Sequence, residues 1–321
     1  MRFFGYCLGP LLCFLVSCIF VSAQNPSNRS SVNTIIIDAG HGGTDVGARG
    51  TITNEATITL AVAKKLVKAM REEFPNIKIL ETRPTEAFPG NTTNSVAANR
   101  YRAEFANANN GDLFISLHCN AAGKKPGGWY AQKVVGREAR TRYVKKGKKR
   151  VKQTYYVNKY ANVWVENTAR GTETYIWAVN KNDQKVSSIG QVSQDNNEEG
   201  DYYNEETEDT GADTLALPDP NDPAERARML IYAQHYFRKS YALATLVEKE
   251  FVASGRVSRG VQQRNHKGIW VLQATGMPSI LVEMGFISNN DEQAYMMSEE
   301  GQNTIVQCII NAVKTYIEKY G

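Results

Sequence analysis

Three short apolar runs, separated by many tens of residues, each end in side chains that can bind metals or move protons. Residues 34–37 lead into Asp38-Ala39-Gly40-His41-Gly42-Gly43, and residues 113–115 lead into Ser116-Leu117-His118-Cys119-Asn120. Residues 279–282 lead into Glu283-Met284-Gly285-Phe286. Short β-branched runs bounded by turn residues read as buried strands. In an open α/β sheet, ligands bind in the crevice beyond the carboxyl ends of the strands. Residues placed this way converge in space whatever their distance along the chain. Two imidazoles and several carboxylates at one sheet edge predict a metal-assisted hydrolase.

The segments between these runs predict how the sheet is built. Asn54 reads as an N-cap for a helix over 55–72, with Ile58, Ala61, Val62, Leu66 and Met70 close to helical spacing. Pro75-Asn76 ends it, a strand follows over 77–80, then a helix over 96–108 and a strand over 112–117. Regularity fades after Asn120 and resumes as a strand over 172–179. A long helix over 224–253, strands over 269–272 and 279–282, and an amphipathic helix over 301–320 complete the chain. The β-α-β-α-β order predicts an α/β fold with a mostly parallel central sheet of about six strands, flanked by helices on both faces. Two long polar inserts, about 121–170 and 180–223, interrupt it. One enlarged catalytic domain over 33–321 is expected, because no linker divides the chain and no internal repeat appears.

The first residues predict export. Arg2 precedes an almost wholly apolar run over 3–21, and Val21-Ser22-Ala23 offers a small-x-small cleavage site before Gln24. A signal peptide over 1–23, a short tail over 24–32 and a periplasmic destination follow. A membrane anchor is the competing reading of the same run. Leu15-Val16-Ser17-Cys18 resembles a lipoprotein processing box, but the apolar residues after Cys18 argue against lipidation. Removal of the leader leaves only Cys119 and Cys308, too few for a disulfide framework. No second long apolar run follows, so no stable membrane span is expected after processing.

A formal net charge of +5 conceals strong polarity. Thirteen lysines and arginines lie between Lys124 and Lys159, against Glu138 alone, and nine acidic residues without a cation lie between Asp195 and Asp213. An exported chain meets little nucleic acid, so nucleic acid is not the expected partner. An anionic wall polymer or a membrane surface suits the basic insert better. The alternative is that the two inserts lie against each other.

His41 lies in a loop of glycines, Glu55 opens the first helix just beyond that loop, and His118 ends a strand. Together they form a candidate three-ligand zinc set with a fourth position open for water. Taken singly, each has a bland reading: a satisfied polar histidine, or a carboxylate facing a helix dipole. Glu283 follows three apolar residues, and Glu is rarely buried without a partner. It is either a general base with a raised pKa or a structural carboxylate paired with Arg or Lys. Cys119 as a nucleophile is excluded, since neighbouring strand residues face opposite ways.

These segments, with Asn54-Glu55, Thr82-Arg83 and the continuation Ile287-Ser288-Asn289, resemble the zinc-dependent N-acetylmuramoyl-L-alanine amidases of the cell-separation type, the amidase-3 family. Residues 171–175, Arg259-Gly260-Val261 and Met277-Pro278 match further family segments in order, so the resemblance spans about 33–319 outside the inserts. It implies one zinc per chain held by His41, Glu55 and His118, with Glu283 as the catalytic carboxylate. It implies peptidoglycan as substrate, cut between N-acetylmuramic acid and L-alanine, in wall remodelling or daughter-cell separation. Arg83 matches a family arginine without an assigned role, and His235 and His266 match no metal position. Cys119 and Ala39 depart from the commoner family residues without touching the ligands. Such amidases are often blocked by an inserted segment until a protein activator displaces it, and either insert is placed to do so. The competing readings are a zinc peptidase cutting elsewhere in the stem peptide and a non-catalytic wall-binding module.

Overall fold

The computed structural model describes residues 32–122, 125–177, 223–263 and 269–321. The expected leader with Cys18, most of the tail, nearly all of the acidic insert and His266 lie outside the described residues. The elements run β1 (Thr34–Ala39), α1 (Glu55–Glu73), β2 (Lys78–Glu81), α2 (Ser95–Ala108), β3 (Leu113–Asn120), β4 (Gly128–Lys146), β5 (Lys149–Glu166) and β6 (Thr172–Ile176). They continue with α3 (Pro223–Ala253), β7 (Ser258–Gln263), α4 (Trp270–Ala274), β8 (Ser279–Phe286), α5 (Asn290–Met297) and α6 (Glu299–Tyr320).

Six strands form one sheet in the order β2-β1-β3-β8-β6-β7. The β1–β2, β1–β3, β3–β8 and β6–β7 pairs are parallel, and only β6–β8 is antiparallel. The largely parallel α/β architecture is therefore as expected, with one reversal that the chain pattern did not announce. Because β1, β3 and β8 are adjacent and parallel, their carboxyl ends share one edge.

The strands are buried on both faces. Ile35, Ile37, Leu113, Ile115, Leu117, Ile280 and Val282 pack with α1, α3 and α6 in the larger core. Ile36, Phe114 and Leu281 face the other way, against Ala106 of α2 and Val271 and Leu272 of α4. The α1 helix forms where expected: the Asn54 side chain accepts from the Thr57 amide, and its buried stripe includes Ile58, Val62, Leu66 and Met70. On the far side, the buried carboxylate of Glu248 in α3 accepts from the hydroxyls of Thr172, Thr174 and Ser258, tying β6 and β7 to that helix.

Three expectations need correction. Residues 269–272 are not a strand: Trp270–Ala274 is a short helix. Four apolar residues do not carry enough periodicity to separate the two. Strand β7 and helix α5 were not anticipated, and β7 supplies the second edge of the sheet. The basic insert is not irregular either. It folds into an antiparallel two-stranded ribbon, β4–β5, separate from the main sheet. Among the described residues, no helix is long and apolar enough to cross a membrane.

Phe251 of α3 is fully buried in the larger core. Phe251→Ala is expected to lose about 3–5 kcal/mol of stability through lost contact and an unfilled cavity, read as a lower denaturation midpoint with an unchanged slope.

Candidate metal centre

The turn after β1 carries the first of the candidate ligands in an unusual backbone. His41 adopts φ 63°, in the left-handed region, and is followed by Gly42 at 121° and Gly43 at 58°. A non-glycine residue held there costs roughly 1–3 kcal/mol and persists only where its surroundings fix it. Two arginines do the fixing. Arg83, fully buried, donates to the Ala39 and Gly40 carbonyls and to Ala56 O at the start of α1. Arg102 of α2 donates to Ala39 O and His41 O and ion-pairs with Asp38 at 2.7 Å. Burial, then the neighbouring Arg102 charge, lower the Arg83 pKa to about 10, still far above neutrality. Arg83 thus acquires a role that its sequence match left open: it clamps the turn to α1.

Helix α1 delivers the second ligand. Glu55 is buried, and its carboxylate accepts from the Ala48 amide at 2.8 Å and the Cys119 amide at 2.9 Å. The same carboxylate lies 3.1 Å from His41 Nε2 and 2.8 Å from His118 Nδ1. One donor atom from each of His41, Glu55 and His118 falls within 4.8 Å of the others. Burial opposes ionisation of Glu55, but hydrogen bonds from His118 and His41 and their charges outweigh it, holding the carboxyl well below its usual range. Burial likewise disfavours charge on His41, yet Glu55 and then Asp45 lift its pKa to about 9.

The surroundings are shaped around these donors. A Cβ on Gly40 would overlap the His118 ring, and one on Gly47 would overlap Glu55 Oε2 and the His41 ring. With Nε2 turned towards Glu55, His41 presents Nδ1 to Asp45 at 3.0 Å, within ion-pair reach but off the line of a hydrogen bond. A carboxylate behind a metal-binding imidazole fixes the ring and its tautomer. Two imidazoles and one carboxylate, compact and backed in this way, fit a zinc ion. Asp45 was missed in the sequence; an acidic residue four positions past a glycine-flanked histidine was the available signal.

The β3–β8 register sets His118 directly beside Glu283. Alternation places both on the α2/α4 face, while Cys119 turns into the larger core. Burial, then Glu55 and Glu283, push the Cys119 thiol well up. Its exclusion as a nucleophile agrees with this environment. Glu283 is buried, and Glu173 of β6 pairs with it from the other side. Glu173 ion-pairs with Arg259 and accepts from Asn120 Nδ2 at 2.9 Å and the Tyr175 hydroxyl at 2.8 Å. This second carboxylate was read only as part of a matching segment. The reversal of β6 brings it here, and linear order could not show that.

His41, Glu55, His118 and Glu283 all line one open cavity of about 370 Å³, with Asp45, Asn99 and Arg102 on its wall. No residue of the β4–β5 ribbon lines it; of the described residues of the basic insert, Ala121 alone does. His235 is an exposed residue of α3, ring to ring with Tyr236 and outside the cluster.

The fold and site define an α/β domain with a His-Glu-His set and a further buried carboxylate at the carboxyl edge of parallel strands. The chain belongs to the family described as N-acetylmuramoyl-L-alanine amidase, Amidase_3, whose profile matches residues 35–315. It is 24% identical over 300 residues, 93% of its length, to an uncharacterized cell wall amidase of Bacillus anthracis, and spans 38% of that protein. It is 25% identical over 292 residues to the N-acetylmuramoyl-L-alanine amidase AmiC of Escherichia coli O6:H1, covering 90% of this chain and 54% of the relative. The chain thus spans about half or less of the length of these curated relatives. In fold it is similar to an N-acetylmuramoyl-L-alanine amidase from Clostridium difficile 630, with a TM-score of 0.53, 20% identity, and coverage of 91% and 100% of the two chains.

Asp38 shows what holds the site together. Burial opposes its ionisation, but Arg102 and the Ser116 and Thr82 hydroxyls outweigh that and lower its pKa. Its contribution to stability is therefore complete above the ordinary carboxylate range and is lost as pH falls through the lowered folded value. Arg102→Met strands a buried carboxylate, so it should cost about 3–5 kcal/mol. Urea unfolding at neutral pH checks the loss, and the acid-unfolding midpoint should move to higher pH.

Proposed function

We propose that the chain is a zinc-dependent amidase that hydrolyses the bond between N-acetylmuramic acid and L-alanine in peptidoglycan. The observation that carries the reading is the gathering of His41, Glu55 and His118 within 4.8 Å, on the wall of a cavity that Glu283 also lines. Family membership supports the choice of bond. His41, Glu55 and His118 would hold one zinc. When bound, zinc supplies a water acidic enough to attack near neutral pH and polarises the substrate carbonyl.

The chain's own groups then divide the remaining work. Glu283, next to His118 in the strand register, accepts the proton of the attacking water and passes it to the departing L-alanine nitrogen. Glu173, held by Arg259, Asn120 and Tyr175, sets a second carboxylate opposite Glu283 on the next strand. Asp45 orients His41, and Arg83 and Arg102 keep the loop carbonyls occupied so that the His41 turn does not relax.

A role in wall remodelling or daughter-cell separation, export to the periplasm through residues 1–23, and regulation by a protein activator belong to the same proposal. Either insert could carry such a block, and nearly all of the acidic one lies outside the described residues.

Glu283→Ala should retain about one zinc per chain while losing roughly 10²–10⁴ in rate on purified peptidoglycan. His118→Ala should lose both metal and activity. Metal analysis with mass spectrometry of the released products checks these outcomes, since a free L-alanine amino terminus distinguishes amidase from peptidase cleavage. Stringent chelation of the wild type should abolish turnover, and added zinc should restore it. Full turnover by the chelated protein would end the reading.

A further inference from the structure

The β4–β5 ribbon is a large structure that packs chiefly on itself. At about 3.3 Å per residue, its 19- and 18-residue strands extend roughly 60 Å. An isolated two-stranded hairpin is marginal in water, and this one is exposed along nearly its whole length. It also carries large aromatic side chains in the open. Tyr130, Tyr143, Tyr156, Tyr160 and Trp164 are each between 52% and 70% exposed.

The register shows that these side chains share one face. Tyr130 pairs with Trp164, and the two rings meet edge to face with centroids 5.3 Å apart. Tyr160 and Tyr156 follow at even positions of β5, so they face the same way as Trp164. On β4, Tyr130 is even and Tyr143 is odd, which would place them on opposite faces of a regular strand. The register shift between Val134 and Gly136 inserts one residue and reverses the alternation. Beyond it, Arg137 pairs with Asn158, Ala139 with Tyr156, and Tyr143 with Lys152. Tyr143 thereby joins the stripe. One irregularity gathers five rings onto one side of the ribbon.

The same face is cationic towards its tip, where Arg137, Lys145, Arg150 and Lys152 lie between and beyond the rings. The ribbon as a whole has eleven lysines and arginines against Glu138 and Glu166. Such charge repels a second copy of the ribbon and protects its open edges from strand addition. It attracts a polyanion. Aromatic faces beside cations suit a polymer whose saturated rings present C–H-rich faces and which carries regularly spaced carboxylates.

We infer that the β4–β5 ribbon is a peptidoglycan-holding arm, in which the Tyr130/Trp164/Tyr160/Tyr156/Tyr143 stripe stacks on sugar rings and the flanking cations pair with stem-peptide carboxylates. This rests on the wall being the substrate, and it adds a binding surface outside the cavity where hydrolysis is proposed. Binding by the arm and cleavage by the cavity are separable.

The test measures retention of the full chain on purified insoluble peptidoglycan, in the Glu283→Ala background so that the wall stays intact. Replacing Tyr143, Tyr156 and Tyr160 together by Ala should weaken binding about tenfold or more. Replacing the same three by Phe should keep it, because the rings remain. Raised salt should weaken the retained binding. With Glu283 intact, the triple Ala variant should hydrolyse a soluble disaccharide-peptide as fast as wild type. Undiminished retention of the Ala variant would overturn the inference, as would equal loss in the Phe variant. So would a wild-type dimer that the Ala variant dissolves, or a preference of the stripe for a single-stranded oligonucleotide over the wall. Failure of the amidase reading would appear instead as wild-type wall products that carry no new L-alanine amino terminus, which leaves the retention measurement standing.

Discussion

Parallel pairing of β1, β3 and β8 makes neighbours of residues that are hundreds of positions apart. Each strand is buried on both faces and so has no freedom to slip, because a one-residue shift would turn every apolar side chain into the wrong core. With the register fixed, His118 must lie beside Glu283, and the turn after Ala39 must open onto the same edge. The site is therefore a consequence of core packing. Its precision comes from the Ile-, Leu- and Val-rich strands beneath it rather than from the polar residues that do the chemistry.

Electrostatics then fix what packing brings together. Glu55 accepts from two backbone amides and stands between two imidazoles, so it is the hub on which α1, the His41 turn and β3 all bear. Around it, buried arginines hold the turn by its carbonyl oxygens. The left-handed backbone at His41 is held because the Ala39, Gly40 and His41 carbonyls are all taken by arginine donors. A cation entering between the three donors would replace the proton that Glu55 and Asp45 hold on His41, so metal uptake and proton release are linked.

Much of this could be read from the chain. The runs before His41, His118 and Glu283 announced buried strands, and Asn54 with its apolar spacing announced α1. What escaped did so for identifiable reasons. The segment over 269–272 is too short and too uniformly apolar to show a period. Four of the six residues of β7 are polar, as suits a sheet edge. The ribbon mixes cationic, aromatic, aliphatic and small residues with no buried face, so it lacks the apolar–polar contrast that marks a strand. Asp45 and Glu173 needed spatial information: one depends on the curl of a turn, the other on the reversal of β6.

Both described cysteines are buried, although Cys119 also borders the open cavity. Cys119 follows a candidate ligand directly, yet its sulfur is sealed in the larger core, and Cys308 is buried on α6. Neither sulfur can reach a neighbouring molecule while the domain is folded. Among the described residues, oxidising surroundings therefore have no exposed thiol for cross-linking folded chains. The domain gains redox indifference without a single disulfide among its described residues.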